Sequence, residues 1–438
     1  MSANSWKGLV DQLRKVLGAF PDPRTGDNCT YSMEDIGSSA FSVFFTQSPS
    51  FLAHQTSMQK AKGQSNAQSL FEIKQIPCDN HIRNTLDGVA PEKLFPLFDS
   101  VYHQLRDQGI LETFRAINNT ILIALDGTWY FSSKNVHCDK CSCQEHQNGE
   151  KTYFHSAVTP VIVAPGQPHA IALRPQFITP QDGHSKQDCE IAAAKRWLEE
   201  NGPTYSSLKV TLLGDDIYAH QPTCRRALLY NFNFILVCKP DSHKTLYDYV
   251  NLLQAGQQLR TIEMRVKNRA HFQTYTYRYA NSVPLADGDD ALKVNWCELT
   301  VTDAAGKILY LNNFITNFSI TDQNVAAILA SGRARWKIEN ENNNTLKTKG
   351  YNLEHNFGHG KEHLSSLLAT MNILAFLFHT FLSFTDKNYR LIRASLPTRK
   401  TFFEDLRALT RYMLFADWDT LMHFMMNGLE IGPYAKAL

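Results

Sequence analysis

The apolar positions of this chain change their period twice. Over the first hundred or so residues they recur at helical spacing: Leu9, Leu13, Val16 and Leu17 fall on one face. Pro21, Pro23 and Gly26 break that run. Further helical stretches follow at 33–45 and 66–71, from Asp79 as a candidate N-cap through Ile82 and Leu86, and at 94–105. At Asn119 the pattern switches. Thr120-Ile121-Leu122-Ile123-Ala124-Leu125 is a continuous aliphatic run ending in Asp126-Gly127, which predicts a buried central strand delivering an acid at its C-terminal end. Strands are predicted at 153–164 and 170–174, then a strong helix at 188–201. A second buried strand, 208–213, again ends in acid after glycine, Gly214-Asp215-Asp216, and an apolar strand follows at 232–237. This order predicts an α/β fold with a mixed sheet.

From about 239 to 318 the text alternates as strands do, with candidates at 262–279, 295–302 and 308–314. Helical text resumes at Asp322 and runs through Glu339. A loop at 351–360, an apolar helix at 364–384 and an aromatic-rich helical tail complete the chain. The expected organisation is therefore a helical N-terminal region (1–117), a first core part (118–238), a β-rich insertion (239–318), a second core part (319–386) and a helical C-terminal tail (387–438). In the N-terminal region Lys60, Lys62, Lys74 and Arg83 suit either a DNA-end-binding module or the solvated faces of a scaffold.

Composition narrows the class only a little. With 438 residues, 43% hydrophobic and 20% charged, the chain has the balance of a globular protein large enough for two or three packed units. A formal net charge of +2 does not announce a nucleic-acid binder, but clustered acids can cancel basic patches in such a sum. The start of the chain is amphipathic rather than an apolar leader, and nine cysteines form no evident disulfide framework, so a reducing, cytoplasmic setting is expected. Residues 364–384 carry Asn372 and His379, which favours a buried core helix over a membrane span.

The strand-end acids carry the candidate chemistry. Cutting a phosphodiester needs an activated oxygen nucleophile and relief of charge on the phosphate, and two divalent ions held by hard oxygen ligands supply both. Asp126 and Asp215 sit at strand ends and Glu339 on a helix. Taken alone, each has a plain reading. An aspartate before glycine is often a turn residue. Either Asp215 or Asp216 could point inward, with strand alternation favouring Asp215. Arg335 and Glu339 are spaced for an intrahelical ion pair.

Together these residues carry a family resemblance. Gly332-Arg333-Ala334-Arg335-Trp336-Lys337-Ile338-Glu339, followed by Lys347 and Lys349, resembles the Glu-bearing helix of cut-and-paste bacterial insertion-sequence DDE transposases, of the RNase H-like, retroviral-integrase superfamily. That helix signature runs Tyr, two residues, Arg, three residues, Glu, six residues, Lys. Here Gly332 stands in the Tyr position and Lys347 falls one residue late. Ser50-Phe51-Leu52-Ala53, Ser65 to Phe71, Leu125-Asp126-Gly127-Thr128, Phe131-Ser132-Ser133-Lys134, Gln181-Asp182-Gly183-His184, Gln187-Asp188-Cys189-Glu190, Gly214 to Tyr218, and Phe357-Gly358-His359-Gly360 resemble the same branch. Spacings of 89 residues from Asp126 to Asp215 and 124 from Asp215 to Glu339 leave room for the insertion between the second and third acids.

The resemblance implies an RNase H-like mixed-sheet catalytic core interrupted by a β-rich insertion, with helical N-terminal and C-terminal regions. It implies two Mg²⁺ or Mn²⁺ ions on Asp126, Asp215 and Glu339, and phosphate contacts from Arg335, Lys347 and Lys349. The partners would be double-stranded DNA, as transposon ends and target, with a homodimer assembled on it, no membrane, and a nucleoid-associated place in the bacterial cytoplasm. Trp336 is expected to pack in the core, and Phe314 is a candidate for stacking on an unpaired base. Two alternatives use the same residues: an RNase H-fold nuclease that cuts without joining, and a domesticated, non-catalytic DNA-binding relative.

A second constellation is Cys138-Asp139-Lys140-Cys141-Ser142-Cys143, with His137, His146 and His155 near it in sequence. Its thiols and imidazoles suit a tetrahedral structural Zn²⁺ site, with Cys138, Cys141, Cys143 and His146 as the expected ligands. The plain alternative is loop thiols without a role. His355 and His359, beside the glycines of the 351–360 loop, could approach DNA or the active site, or could be structural.

Overall fold

The computed structural model describes residues 5–25, 29–59, 66–180, 188–268 and 271–435. Gly26, Lys60, Lys62, Ser65, residues 181–184 and Gln187 from the segments above lie outside them. The first buried run becomes β1 (Ile121–Ala124), every residue of it buried, as expected for a strand covered on both faces. The strands that follow in the chain are β2 (Gly127–Ser133), β3 (Ser142–Glu145), β4 (Lys151–Val158), β5 (Val161–Val163), β6 (Ile171–Ala172), β7 (Gln176–Ile178), β8 (Val210–Gly214), β9 (Asn233–Val237), β10 (Arg260–Asn268), β11 (His271–Pro284), β12 (Lys293–Asp303) and β13 (Ile308–Thr316).

Nine of them form one sheet in the order β10-β11-β12-β13-β9-β8-β1-β5-β6. At its centre β1, β8 and β9 run parallel, while β5 and β6 add antiparallel strands on the other side. These five strands form the mixed core sheet that the α/β pattern of the sequence predicts. The β-rich stretch does not stand apart. Its antiparallel strands β10 to β13 extend the same sheet through β13, which pairs with β9 at Phe314↔Val237.

Two predicted strands divide. The stretch 153–164 breaks after β4, because Pro160 has no N–H to give to a ladder. Thr159 N–H turns back to the carbonyl of Asp126 at 3.0 Å, and the chain passes from a small second sheet (β2-β4-β3, with β7 also on β4) into the main one. The stretch 262–279 folds into the β10–β11 hairpin, paired from Arg260↔Tyr279 to Asn268↔His271. Continuous β-forming text hid the reversal.

The helices, in chain order, are α1 (Ser5–Gly18), α2 (Met33–Phe45), α3 (Phe51–Gln59), α4 (Asn66–Phe71), α5 (Asp79–Leu86), α6 (Phe95–Asp107), α7 (Glu190–Tyr205), α8 (Gln221–Leu229), α9 (Lys244–Ala255), α10 (Val325–Arg333), α11 (Asn344–Thr348), α12 (Leu364–Thr385), α13 (Lys387–Ser395), α14 (Arg399–Tyr412) and α15 (Trp418–Gly428). In α5 the cap position falls to Cys78, and Asp79 begins the helix. Helix α12 is apolar all round, as a helix enclosed by protein should be. It packs against α1, α2, α6 and α13 and is buried along most of its length. Among the described residues it is the one helix long and apolar enough to cross a membrane, and that surface is occupied by protein. The two ends of the chain meet around it: the Trp6 ring lies 4.2 Å from Phe45 and 5.1 Å from Trp418.

Candidate active site

Register brings the first two acids together. Ala124 pairs with Leu213 across the parallel β1–β8 ladder, and Leu125 N–H donates to the Leu213 carbonyl at 2.9 Å. Asp126 and Asp215 each lie two residues beyond that pair, so they leave adjacent strands side by side, about 4.8 Å apart in backbone spacing. The Asp215 carboxylate caps the short turn that follows, accepting from Asp216 N–H at 2.7 Å. Asp216 turns into the protein, where Lys239 N–H donates to it at 2.6 Å and the Ser242 hydroxyl and His243 complete its partners. Asp216 therefore anchors the 239–243 loop, leaving Asp215 as the acid at the strand end.

Glu339 comes from an unusual helix. After α10 ends at Arg333 the chain makes a tight turn and then a π-helical segment, Ile338–Asn343. Such segments are rare and concentrate at functional sites. The Arg335 guanidinium lies 3.0 Å from Glu339, and its side chain is buried while that of Glu339 is 43% exposed. One turn further on, Asn343 Nδ2 donates to the Asp126 carboxylate at 3.0 Å, and Asn343 Oδ1 accepts from Thr159 Oγ1 at 3.0 Å. The π segment is thus tied to the end of β1. The glycine in the place of the motif's tyrosine has a steric cause: α10 lies so close to β9 and β13 that even a Cβ on Gly332 would press into the Phe314 ring at 2.9 Å.

A fourth acid joins them. The start of α7 is fixed by Asp188, whose carboxylate accepts a two-pronged contact from Arg196 at 3.0 and 2.7 Å. This presents Glu190 to the end of β1, where its carboxylate accepts from Gly127 N–H at 2.9 Å and from the Tyr218 hydroxyl at 2.6 Å. A Cβ on Gly127 would collide with that carboxylate. Burial, and next the charge of Glu190, push the Asp126 carboxyl up to about 7; Glu339 and Asp215 add to the rise and Arg335 opposes it. Burial and Glu190 likewise hold the Tyr218 phenol well above its usual range, so it stays a donor.

Four carboxylates against one guanidinium make a site short of positive charge and rich in hard oxygen donors. That donor set fits divalent Mg²⁺ or Mn²⁺. Sequence reasoning missed Glu190, Tyr218 and Asn343 as site residues. The signals were present: Glu190 and Tyr218 end two of the motif segments, and Asn343 lies in the Asn-rich run after Glu339.

The remaining candidates divide. Lys347 is engaged with Glu354 at 2.9 Å, and Lys349 lines a cavity with Arg393, Arg399 and Lys400. Phe314 is 1% exposed and belongs to the core, so it is not placed to stack on a base. Trp336 corrects the opposite expectation: it is 50% exposed, because the turn after α10 rotates it away from the face that carries Arg335. The thiols also regroup. Cys138, Cys141, His155 and His359 gather with their ligand atoms all within 4.8 Å of one another. Cys143 and His146 are not in that group; His146 Nε2 instead meets Thr152 Oγ1 at 2.8 Å. The cause is pairing: β3 carries Cys143 away along β4, opposite Tyr153.

No family model matches the chain, and no curated protein matches it. Among solved structures it is similar to the piggyBac transposase in a cryo-EM synaptic complex with hairpin DNA, at 10% sequence identity and a TM-score of 0.41, covering 99% of this chain and 80% of that one.

Proposed function

We propose that this chain is a DNA transposase of the DDE type, of the bacterial insertion-sequence kind, that cleaves DNA at transposon ends and joins them to target DNA on the nucleoid. What supports the reading is that Asp126 and Asp215 leave adjacent parallel strands side by side, and that the charges of Glu339, from a π-helical segment, and Asp215 both act on the Asp126 carboxyl. Two divalent cations held by these three carboxylates would activate an attacking oxygen and relieve charge on the scissile phosphate.

The chain's own residues set the frame for that reaction. Asn343 and the Thr159 turn fix the end of β1 and with it the Asp126 carboxylate. Arg335 lies 3.0 Å from the half-exposed Glu339, and its fork has further donors that can share a phosphate oxygen. Glu190, held by Gly127 and Tyr218, buttresses the carboxylates from behind. Trp336 offers an exposed ring beside the site on which a base can stack. Lys349 with Arg393, Arg399 and Lys400 forms a basic wall suited to the DNA backbone. Cleavage would break a P–O3′ bond with water and free a 3′-hydroxyl, which would then attack a target phosphate in line and displace the target strand's 3′-oxygen as a new 3′-hydroxyl; joining both ends makes a homodimer on DNA the natural assembly.

The test uses the full chain with Mn²⁺ and a supercoiled plasmid carrying the DNA that flanks its reading frame on both sides. Wild type should release 3′-hydroxyl ends and joined products, and Asp126→Asn and Asp215→Asn should yield neither. Cleavage without joined products would replace this reading by that of a nuclease. No Mn²⁺ binding and no cleavage by wild type would end it.

A further inference from the structure

We infer that Cys138, Cys141, His155 and His359 form a closed Zn²⁺ site that fastens the small second sheet to the loop behind the Glu339 helix. The distances carry the assignment. Cys138 Sγ lies 3.8 Å from Cys141 Sγ; His155 Nε2 lies 3.5 Å from the first and 3.4 Å from the second; His155 Nε2 lies 3.3 Å from His359 Nδ1. With Zn–S of about 2.3 Å and Zn–N of about 2.0–2.1 Å, a tetrahedron has S–S, S–N and N–N edges of about 3.8, 3.5 and 3.3 Å. Four of the six edges therefore already have the lengths that ion requires, and the two from His359 to the thiols lie within 4.8 Å. Hydrogen bonding alone gives no reason for two thiols and two imidazoles to converge on one point.

The surroundings hold the donors there. Cys138 and Cys141 belong to the turn between β2 and β3, closed by Cys141 N–H donating to the Cys138 carbonyl at 3.0 Å. His155 is buried on β4, with the Tyr130 ring stacked on it at 5.5 Å. His359 arrives from far along the chain between Gly358 and Gly360, whose φ values of +147° and +66° few other residues adopt. Beyond it the Asp87 carboxylate accepts from the N–H groups of Lys361, Glu362 and Leu364 at 2.7, 3.1 and 3.2 Å, which pins the loop. The Phe131 ring meets His359 edge-on at 4.1 Å.

The chemistry selects the ion. Two thiolates and two neutral imidazoles make a borderline-soft S₂N₂ set that suits Zn²⁺ and not Mg²⁺. Binding releases two thiol protons and leaves a complex of zero net charge, which tolerates the half-buried setting. With all four corners filled by protein the site keeps no position for substrate, so its role is structural. It stands independently of the acid cluster.

The test is cobalt substitution of the full chain together with metal analysis. Wild type should carry about one zinc per chain, and its Co²⁺ form should show the visible bands of tetrahedral cobalt with a thiolate charge-transfer band. Cys143→Ser and His146→Ala should leave both unchanged, whereas Cys138→Ser and His359→Ala should cut zinc content at least about tenfold. Asp126→Asn should keep its zinc. Wild-type protein without zinc and with no cobalt–thiolate band, a Cys138–Cys141 disulfide in protein purified under reducing conditions, or loss of the spectrum in Cys143→Ser would each overturn the assignment, and the wild-type readouts do not depend on any variant folding.

Discussion

The acid cluster and the Cys/His cluster lie on either side of the same stretch of chain, yet they are built on opposite principles. The acid cluster is open and charged: Glu339 is half exposed, Trp336 faces solvent beside it, and four carboxylates compete for one guanidinium. The Cys/His cluster is closed and neutral when filled, with Cys141 and His155 buried and the four donor atoms all within 4.8 Å of one another. A site that must admit a substrate keeps unsatisfied charge, and its strain is stored in the carboxyl at its centre. A site that only fastens satisfies itself completely. The two should therefore respond with opposite sign when a ligand is removed.

The largest effect is expected at Asp126. Asp126→Asn should lower strand cleavage by about 10³-fold or more, because a site that works as a unit fails with the loss of one member. Stability should move the other way. The Asp126 carboxyl is raised in the folded state, to about 7 from 3.8. The folded protein therefore binds the extra proton between those values, and metal-free stability falls as pH rises from about 4 to about 7. Above pH 7 the metal-free wild type carries the full cost, and Asp126→Asn should melt a few degrees higher, on the order of 2 kcal/mol. Calorimetry in chelator at pH 8 decides it; an equal or lower Tm would contradict the crowding of charge. Cys138→Ser should do the reverse and lower Tm by about 5 °C or more, since a structural metal's binding energy is folding energy. If both variants shift Tm in one direction, the contrast between the clusters fails.

The two clusters also differ in how far the sequence reveals them. Asp126 and Asp215 were legible because β1 and β8 are short, wholly apolar runs, and an acid at the end of such a run stands out against its surroundings. The Cys138–Cys141 pair was legible as spacing, but its partners were not. His155 was close in sequence yet less close than His146, and only the β3–β4 register shows that it faces the thiols. His359 lies 204 residues from His155, so no local pattern could join them. In the same way Glu190 closed a motif segment without a role of its own, and only the contact of its carboxylate with Gly127 N–H at the end of β1 gives it a place. The break at Pro160 and the β10–β11 reversal were lost for another reason, since unbroken β-forming text does not show where a strand changes sheet or direction. Side-chain direction failed once each way: Trp336 was expected inside and is outside, because the turn after α10 resets the helical phase, whereas Phe314, a candidate for base stacking, is buried on β13 under α10.

A smaller effect separates the charge of Glu190 from its hydrogen bonds. Glu190→Gln keeps an acceptor for Gly127 N–H and the Tyr218 hydroxyl but removes the second-largest influence on Asp126. The Asp126 carboxyl should then fall from about 7 toward its ordinary value. The acid limb of Mn²⁺ binding, which requires that carboxyl to have lost its proton, should move to lower pH by about one unit. Affinity at pH 8 should drop about tenfold if Glu190 also contributes to holding the ions, and stay level if it acts only on Asp126. An acid limb that does not move would show that burial alone raises Asp126, and the open cluster would lose its claim to be charge-crowded.

The smallest effect tests openness itself. Trp336 is 50% exposed, so removing its ring disturbs little packing, and Trp336→Ala should leave Tm within about 1 °C of wild type. A base stacked on an aromatic ring contributes about 1–3 kcal/mol. Affinity for a DNA end with unpaired terminal bases should accordingly fall at least about fivefold, with a smaller change for fully paired duplex. Zinc content should not change, because the closed cluster does not share this surface. Equal affinity of wild type and Trp336→Ala for both DNAs would mean that the exposed ring is not part of the substrate path. The open side of the acid cluster would then have to be sought along the basic wall of Lys349, Arg393, Arg399 and Lys400.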